Sequence, residues 1–277
     1  MAKITAKEVN ELRKATGAGM MDCKKALVEA DGNMETAVDL LRKAGQKVAA
    51  KRGDRDAKEG LVLAKTTGDG KHGALLVVNC ETDFVAKNED FENFANKILT
   101  IAINEQPTDL ESLKGLNFGD GQTIAEKIIE QVGVIGEKID LSAYEVIDAE
   151  AVVAYNHPGN KLASMVGLNK SSEAIADAGK QVAMQIAAMN PLAVDEDGVD
   201  STTIEKELEI GKELAIQEGK PAELAENIAK GRLKKFFKEN TLLNQAFVRD
   251  NKLTVKQFLK DTESDLTVTD FKRMSLQ

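Results

Sequence analysis

Tryptophan is missing from this sequence and aromatic residues make up only 4% of it, so it lacks the flat rings of a base-stacking platform or a sugar-binding surface. Its two cysteines, Cys23 and Cys80, stand far apart and neither belongs to a CxxC pair. That excludes a disulfide framework, offers no thiolate metal site and fits a reducing compartment. Long apolar runs are absent too, the longest being Ala74 to Val78, far too short to cross a bilayer. The segment Met1 to Asn10 mixes charged with small residues and has no apolar core of a signal peptide. The expectation is a soluble, cytoplasmic protein with no membrane partner. Positive charge is also in short supply, with 37 Lys and Arg against 46 Asp and Glu and a net charge of −9. A surface built to neutralise phosphate needs the opposite balance, so no direct nucleic-acid partner is expected.

Histidine is scarce as well. His72 and His157 are the only imidazoles, and neither stands near a Ser or Cys in a nucleophile motif. Gly68-Asp69-Gly70-Lys71 has the wrong neighbours for a phosphate loop, with Lys65 where the first glycine belongs and His72 where magnesium needs a hydroxyl. Asp195, Asp197 and Asp200 surround Gly198, but a calcium loop centred there would have Ala193 and Ile204 as its end ligands. No catalytic constellation, metal site or cofactor site is visible, and the chain reads as a non-enzyme.

What the sequence does have is length and helix-forming residues. The 277 residues, 42% of them hydrophobic, correspond to about two domains and can bury a core. Residues 1–55 carry 12 basic and 8 acidic side chains, net +4, while the remainder is net −13. The basic stretch Lys47, Lys51, Arg52, Arg55 reads as a solvated helical linker, which puts a domain boundary near Arg55. Before it, Thr5 and Glu8 form a capping box that opens one helix. A second is predicted from Met20 to Ala30, and Asn33 caps a third with Ala37, Leu40, Leu41 and Ala44 inward and a stop at Gly45. Such a three-helix unit is too small for a deep cavity and suits docking. Met20 and Met21 point about 100° apart on a helix, so both cannot face one small core. At least one is exposed and is a candidate docking side chain.

From Gly60 the period changes to that of strands. Leu61 to Thr67 and Gly73 to Cys80 form a β-hairpin, followed by a helix from about Glu89, a capping box at Thr123 and Glu126, and a strand from Ile139 to Ile147. The pattern then recurs: Val152 to Asn156 and Leu162 to Leu168 form a second hairpin around the turn His157-Pro158-Gly159-Asn160, leading to a helix from Ser172 to Met189. Asn79 and Asn169 close the two hairpins 90 residues apart, and a duplicated α/β core is the economical inference. Ser201 to Glu218 and Pro221 to Glu239 are two helices joined by Gly219-Lys220, hence antiparallel. Their narrow stripe, Ile204, Leu208, Ala215, Leu224 and Ile228, suits a projecting hairpin. Phe247-Val248, a helix from Thr254 to Lys260 and a strand from Leu266 to Phe271 complete an α+β fold.

The segment Thr82-Asp83-Phe84-Val85-Ala86-Lys87-Asn88 joins a buried strand to an amphipathic helix and has two readings. In one, Asp83 is a helix cap and Phe84 a core anchor. In the other, an acid beside a large ring on a junction loop makes a wedge.

The stretch Leu12-Arg13-Lys14-Ala15-Thr16-Gly17-Ala18-Gly19-Met20-Met21-Asp22-Cys23-Lys24-Lys25-Ala26-Leu27 closely resembles the amino-terminal signature of the elongation factor Ts family, and Thr82 to Asn88 resembles its second signature. The resemblance extends through the His157 turn, the helical hairpin and Phe247-Val248. It implies a guanine-nucleotide exchange factor for the translation GTPase elongation factor Tu. The small amino-terminal bundle would be of the ubiquitin-associated type and dock on the GTPase through Arg13, Met20, Met21 and Lys24. Thr82, Asp83, Phe84 and Val85 would form the wedge that disturbs the partner's magnesium and phosphate site, with His157 and Val248 adding contacts from the other half. The implied organisation is 1–55 for docking and linker, 56–148 for one core half, 149–200 with 240–277 for the other, and 201–239 for the helical hairpin insertion. Whether that hairpin forms a homodimer or touches the partner stays open. Two departures are visible: a turn less rich in glycine after His157, and an end at Gln277 without the carboxy-terminal helical module of some relatives, implying a differently apportioned interface. A ubiquitin-associated-type adaptor would explain the three helices but not the duplicated core. A ribosome-associated protein would need a basic face that the −13 beyond residue 55 opposes.

Overall fold

The computed structural model describes residues 4–119 and 121–276; the first three residues of the amino-terminal segment discussed above, Asp120 and Gln277 lie outside them. The chain divides into two compact units, one of Met1–Leu63, Leu76–Glu145 and Ser275–Gln277, the other of Ala64–Leu75 and Val146–Met274. Mixed helices and small antiparallel sheets make it an α+β fold.

The first unit opens with α1 (Ala6–Thr16), α2 (Met20–Glu29) and α3 (Met34–Arg52). Thr5 and Glu8 form the expected capping box, Gly17 ends α1 in the left-handed conformation that favours glycine, and the Asn33 side chain accepts from the Thr36 N–H. Val9, Leu12, Cys23, Ala26, Leu27 and Ala37 form their shared core. The third helix corrects the sequence expectation: it runs through Gly45 to Arg52, Ala44 is exposed, and Gly45 is buried. The reason lies in α7 (Ile124–Ile135), which packs on α3. A Cβ added to Gly133 would lie 2.6 Å from the Gly45 Cα, so the glycine marks a close helix crossing rather than a helix end.

Strands β1 (Glu59–Thr66), β2 (His72–Cys80) and β5 (Asp140–Asp148) form a three-stranded sheet in the order β1-β2-β5. Between β2 and β5 come the single turn α4 (Asp83–Ala86), α5 (Glu89–Glu105), α6 (Leu110–Gly115), the small ribbon of β3 (Asn117–Gly119) and β4 (Gln122–Thr123), and α7. Helix α5 buries one apolar face from Phe91 through Ile103, and Thr123 with Glu126 forms the second expected capping box.

In the second unit β6 (Ala151–Asn156) pairs antiparallel with β7 (Leu162–Leu168), from Ala151 opposite Leu168 to Asn156 opposite Ala163, and β10 (Val268–Ser275) completes the order β6-β7-β10. Helix α8 (Glu173–Met189) packs on β6 and β7. A Cβ on its Gly179 would meet Val153 at 2.6 Å, so only glycine lets helix and strand approach this closely. The segment β8 (Ala246–Phe247), β9 (Asp250–Thr254) and α11 (Val255–Thr262) closes the core, with Phe247 stacked on Phe258 at 4.2 Å.

The two sheets repeat one plan: a hairpin, a helix of 17 residues ending on a left-handed non-glycine residue, Gln106 or Asn190, and a third strand beside the second. Turn hydrogen bonds repeat with it. Thr67 N–H to His72 O and Gly70 N–H to Thr67 O correspond, 90 positions on, to His157 N–H to Leu162 O and Asn160 N–H to His157 O. Asn79 accepts from Ser142 of β5, and Asn169 accepts from the Thr267 N–H just before β10.

Helices α9 (Ser201–Gln217) and α10 (Ala222–Asn240) form the antiparallel hairpin. Its seam is made of Gly211, Ala215, Ala225 and Ala229, with a Gly211 Cβ placed 3.0 Å from the Ala229 Cα. Leu224, expected in that seam, is instead 51% exposed, because a seam of small residues brings the backbones too close to admit a leucine. Ile204, Leu233 and Phe236 pack with buried Phe237 and Val199.

The α3–α7 crossing gives an asymmetric prediction. Gly133→Ala forces the backbones apart and should cost about 1–3 kcal/mol. Gly45→Ala meets its nearest neighbours at 3.5 Å, an ordinary contact, and gains up to about 1 kcal/mol of helix propensity. Urea denaturation of the two variants should therefore move in opposite directions or leave Gly45→Ala unchanged; equal destabilisation would refute the crossing as the reason for the glycines.

Candidate functional site

Helix α2 opens without a side-chain cap after Gly19, and its sequence places both methionines in water: Met20 is 45% exposed and Met21 62%. Arg13 on α1 and Lys24 on α2 are exposed too. Cys23, between them in sequence, is fully buried, its thiol donating to the Ala18 carbonyl, and burial pushes its pKa up. It behaves as a small core side chain. Val28 is half exposed and shares a helical face with Met21 and Lys24. Sequence reasoning missed it, although its spacing of seven from Met21 was the available signal.

The junction after β2 is built from both ends. Thr82 has extended backbone angles and caps α4 by accepting from the Val85 N–H, while Asn88 caps α5 by accepting from the Asp90 N–H. The cap is thus Thr82 rather than Asp83, because only Thr82 stands outside the helical turn. Asp83 is the first residue of that turn, and its carboxylate accepts from the Lys87 ammonium at 2.7 Å. Ala86 supplies the turn's buried side. Phe84 lies 83% exposed, so the core-anchor reading of this ring is excluded. Val85 is partly buried.

A carboxylate that sequence reasoning did not single out holds this junction. Glu137 accepts from the backbone N–H groups of Glu81 and Thr82 at 3.1 and 3.0 Å and from the Thr82 hydroxyl at 2.7 Å. Glu81 answers in the opposite direction, accepting from the Lys138 N–H and the Arg52 guanidinium, each at 2.7 Å. The Lys138 amide, foremost, and Arg52 keep the Glu81 carboxyl below its ordinary pKa. Lys138 extends its ammonium to the carbonyls of Gly53 and Arg55, so the end of α3 is fastened to the same place. The linker expected to be only solvated makes defined ion pairs here. Beside it Cys80 donates to the Thr82 carbonyl, and desolvation, aided by Glu137 and Glu59, pushes its pKa up to about 12.

In the second unit His157 is exposed in the β6–β7 turn with its Nδ1 2.9 Å from the Tyr155 hydroxyl and the two rings edge to face. Val248 is half exposed between β8 and β9. Its N–H donates to Oε1 of Gln185, a fully buried side chain whose amide also donates to the Ala246 carbonyl and to Gln245. Gln185 was also missed; a lone amide inside the apolar run of α8 is the sign of such a hook. Asp195 of the rejected calcium loop is engaged by the Glu196 N–H, Asn244 and Lys256. Among the described residues no group of three or more His, Cys, Asp or Glu side chains is placed to hold a metal ion, and no helix is long and apolar enough to cross a membrane.

Comparison with known proteins identifies the family. The family model for elongation factor TS matches residues 81–277. The chain is 56% identical over 272 residues to elongation factor Ts of Amoebophilus asiaticus, covering 98% of each chain, and 52% identical over 276 residues to that of Christiangramia forsetii, covering all of both. It is likewise 48% identical to elongation factor Ts of Flavobacterium psychrophilum over the full length of both. With both signatures in place and relatives of this identity matched from end to end, the chain belongs to the elongation factor Ts family.

Proposed function

We propose that this protein is a guanine-nucleotide exchange factor for elongation factor Tu, acting in the cytoplasm, and that it works by inserting the Asp83-Phe84 turn at the partner's nucleotide site. The observation that carries the reading is Phe84: a large apolar ring held 83% in water on a turn fastened from outside. Burying such a ring against a partner is worth about 1.5–3 kcal/mol, and nothing in the fold of its own unit recovers that energy.

The organisation proposed from the sequence is kept. Residues 1–55 dock on the GTPase through Arg13, Met20, Met21 and Lys24, the core halves 56–148 and 149–200 with 240–277 present the Phe84 turn and the His157 and Val248 turns, and 201–239 is an insertion. In mechanism the partner's magnesium and phosphate loop hold GDP, and a wedge that displaces their supports weakens that hold. By linkage, bound nucleotide weakens the hold on the wedge by the same factor. The factor thus accelerates exchange in both directions without selecting the product, and the excess of GTP over GDP sets the outcome.

Release of fluorescent GDP from purified elongation factor Tu tests this. Phe84→Ala should slow factor-stimulated release about 10- to 100-fold, the kinetic equivalent of a lost contact of this size, with no change in melting temperature, since the ring is already in water. Asp83→Ala should act in the same direction, and the double variant should lose less than the sum of the two because they form one unit. Raising magnesium should oppose the wild-type factor. Release by Phe84→Ala at the wild-type rate would remove the wedge from the mechanism.

Docking has a separate readout. Met21→Ala should weaken binding to the GTPase by about 1–2 kcal/mol in calorimetric titration while the factor melts normally. A normal affinity joined to a large fall in melting temperature would instead make Met21 a core residue.

A further inference from the structure

We infer that Glu137 is a positioning residue for the Asp83-Phe84 turn, an inference that rests on the exchange-factor reading above. Helix α4 spans four residues, a single turn that cannot sustain itself, because a first helical turn fixes several dihedral angles for very few hydrogen bonds. Its N-terminal donors need partners from elsewhere. The Thr82 hydroxyl takes the Val85 N–H, and the Glu137 carboxylate, 55 residues away in sequence, takes the Thr82 N–H and hydroxyl together with the N–H of Glu81 just before the turn.

The geometry goes beyond a stray surface contact in two respects. First, it is reciprocal: Glu137 reaches the backbone at Glu81 and Thr82, while Glu81 reaches the backbone at Lys138. Neither chain segment can slide past the other without breaking both sets of bonds. Second, the Thr82 hydroxyl that donates to Glu137 also caps α4 by accepting from the Val85 N–H. The orientation of the turn, and of the ring at its second residue, is thereby referred to Glu137. Arg52 joins the same network through Glu81, so the end of α3 bears on the turn's anchorage as well.

Removing the carboxylate leaves Phe84 present but free to point in many directions. Encounter with the partner is then little affected, while the productive arrangement is reached less often. The full-length protein tests this by stimulated release of fluorescent GDP from elongation factor Tu, with factor concentration varied to separate the plateau rate from half-saturation. Glu137→Ala should lower the plateau about 10-fold, shift half-saturation less than 3-fold and melt close to the wild type. Hydrogen exchange at the Glu81 and Thr82 amides should accelerate while the strand amides of β2 stay protected. Glu137→Gln should restore the plateau, because its amide oxygen accepts from the two backbone N–H groups and its NH2 donates to the Thr82 oxygen, reversing the polarity of that one bond. If Glu137→Ala does not fold, Glu137→Asp keeps the charge on a shorter arm and should show the same fall in plateau. A wild-type plateau in a folded Ala or Asp variant overturns the assignment, as does a loss in plateau that only mirrors the unfolded fraction. Failure of the wild-type protein to release GDP would defeat the exchange reading instead, and the Glu81 and Thr82 amide exchange rates would still decide whether Glu137 orders the turn.

Discussion

The hydrogen bonds from Glu81 and Thr82 to Glu137 are the constraint on which the candidate site depends. A ring exposed to water exerts force on a partner only if its backbone resists, and four helical residues offer little resistance of their own. The stiffness comes from the elements on either side. The β2 strand is buried along nearly its whole length, α5 is anchored through seven buried apolar residues, and the reciprocal glutamates tie the intervening turn to the start of β5. Phe84 is therefore an exposed side chain on a backbone braced from both sides, an arrangement that limits the ordering entropy lost when a partner covers it.

Much of this was legible in the sequence because it is local. The capping boxes at Thr5 and Thr123 span three residues each and were read correctly. So were both hairpins, whose turns announce themselves by glycine and asparagine, and the 90-residue offset between Asn79 and Asn169, which the turn hydrogen bonds reproduce. The errors share a different cause. Gly45 was read as a stop because glycine ends helices more often than it lets them cross, and nothing within ten residues reveals that Gly133 is opposite. Leu224 was assigned to a seam that Gly211, Ala215, Ala225 and Ala229 occupy, since periodicity locates an apolar stripe but not the backbone separation that selects its residue size. Asp83 and Thr82 differ by one position, and the cap fell to the residue whose backbone is extended.

The site itself divides along the same line. Met20 and Met21 were visible as anomalies, apolar residues for which a small unit had no obvious interior, whereas Phe84 stood between a core anchor and a wedge until its exposure was known. Glu137 was invisible. Its neighbours Gly136 and Lys138 mark it as a polar residue in a loop between helix and strand, and its partners lie 55 residues away. Residues that act by being exposed are read from local pattern, whereas residues that act by holding others require the fold.

A comparison between Glu137 and Gln185 shows how burial selects the chemistry of such a hook. Both receive backbone N–H groups from a turn that carries an exposed apolar residue, Phe84 in one unit and Val248 in the other. Glu137 is only partly buried, and its carboxylate meets three donors. Charge-assisted bonds of this kind are stronger than neutral ones. Gln185 has no exposed surface at all, and an ionised carboxylate at its position would face a desolvation cost that one backbone donor does not offset. The amide avoids that cost and uses its NH2 as well, donating to the Ala246 carbonyl and to Gln245. Exchanging the two side chains would accordingly fail in one place only: a glutamate at 185 would lack donors for its second oxygen and repel the Ala246 carbonyl, whereas a glutamine at 137 can serve because the Thr82 hydroxyl is able to reverse its role.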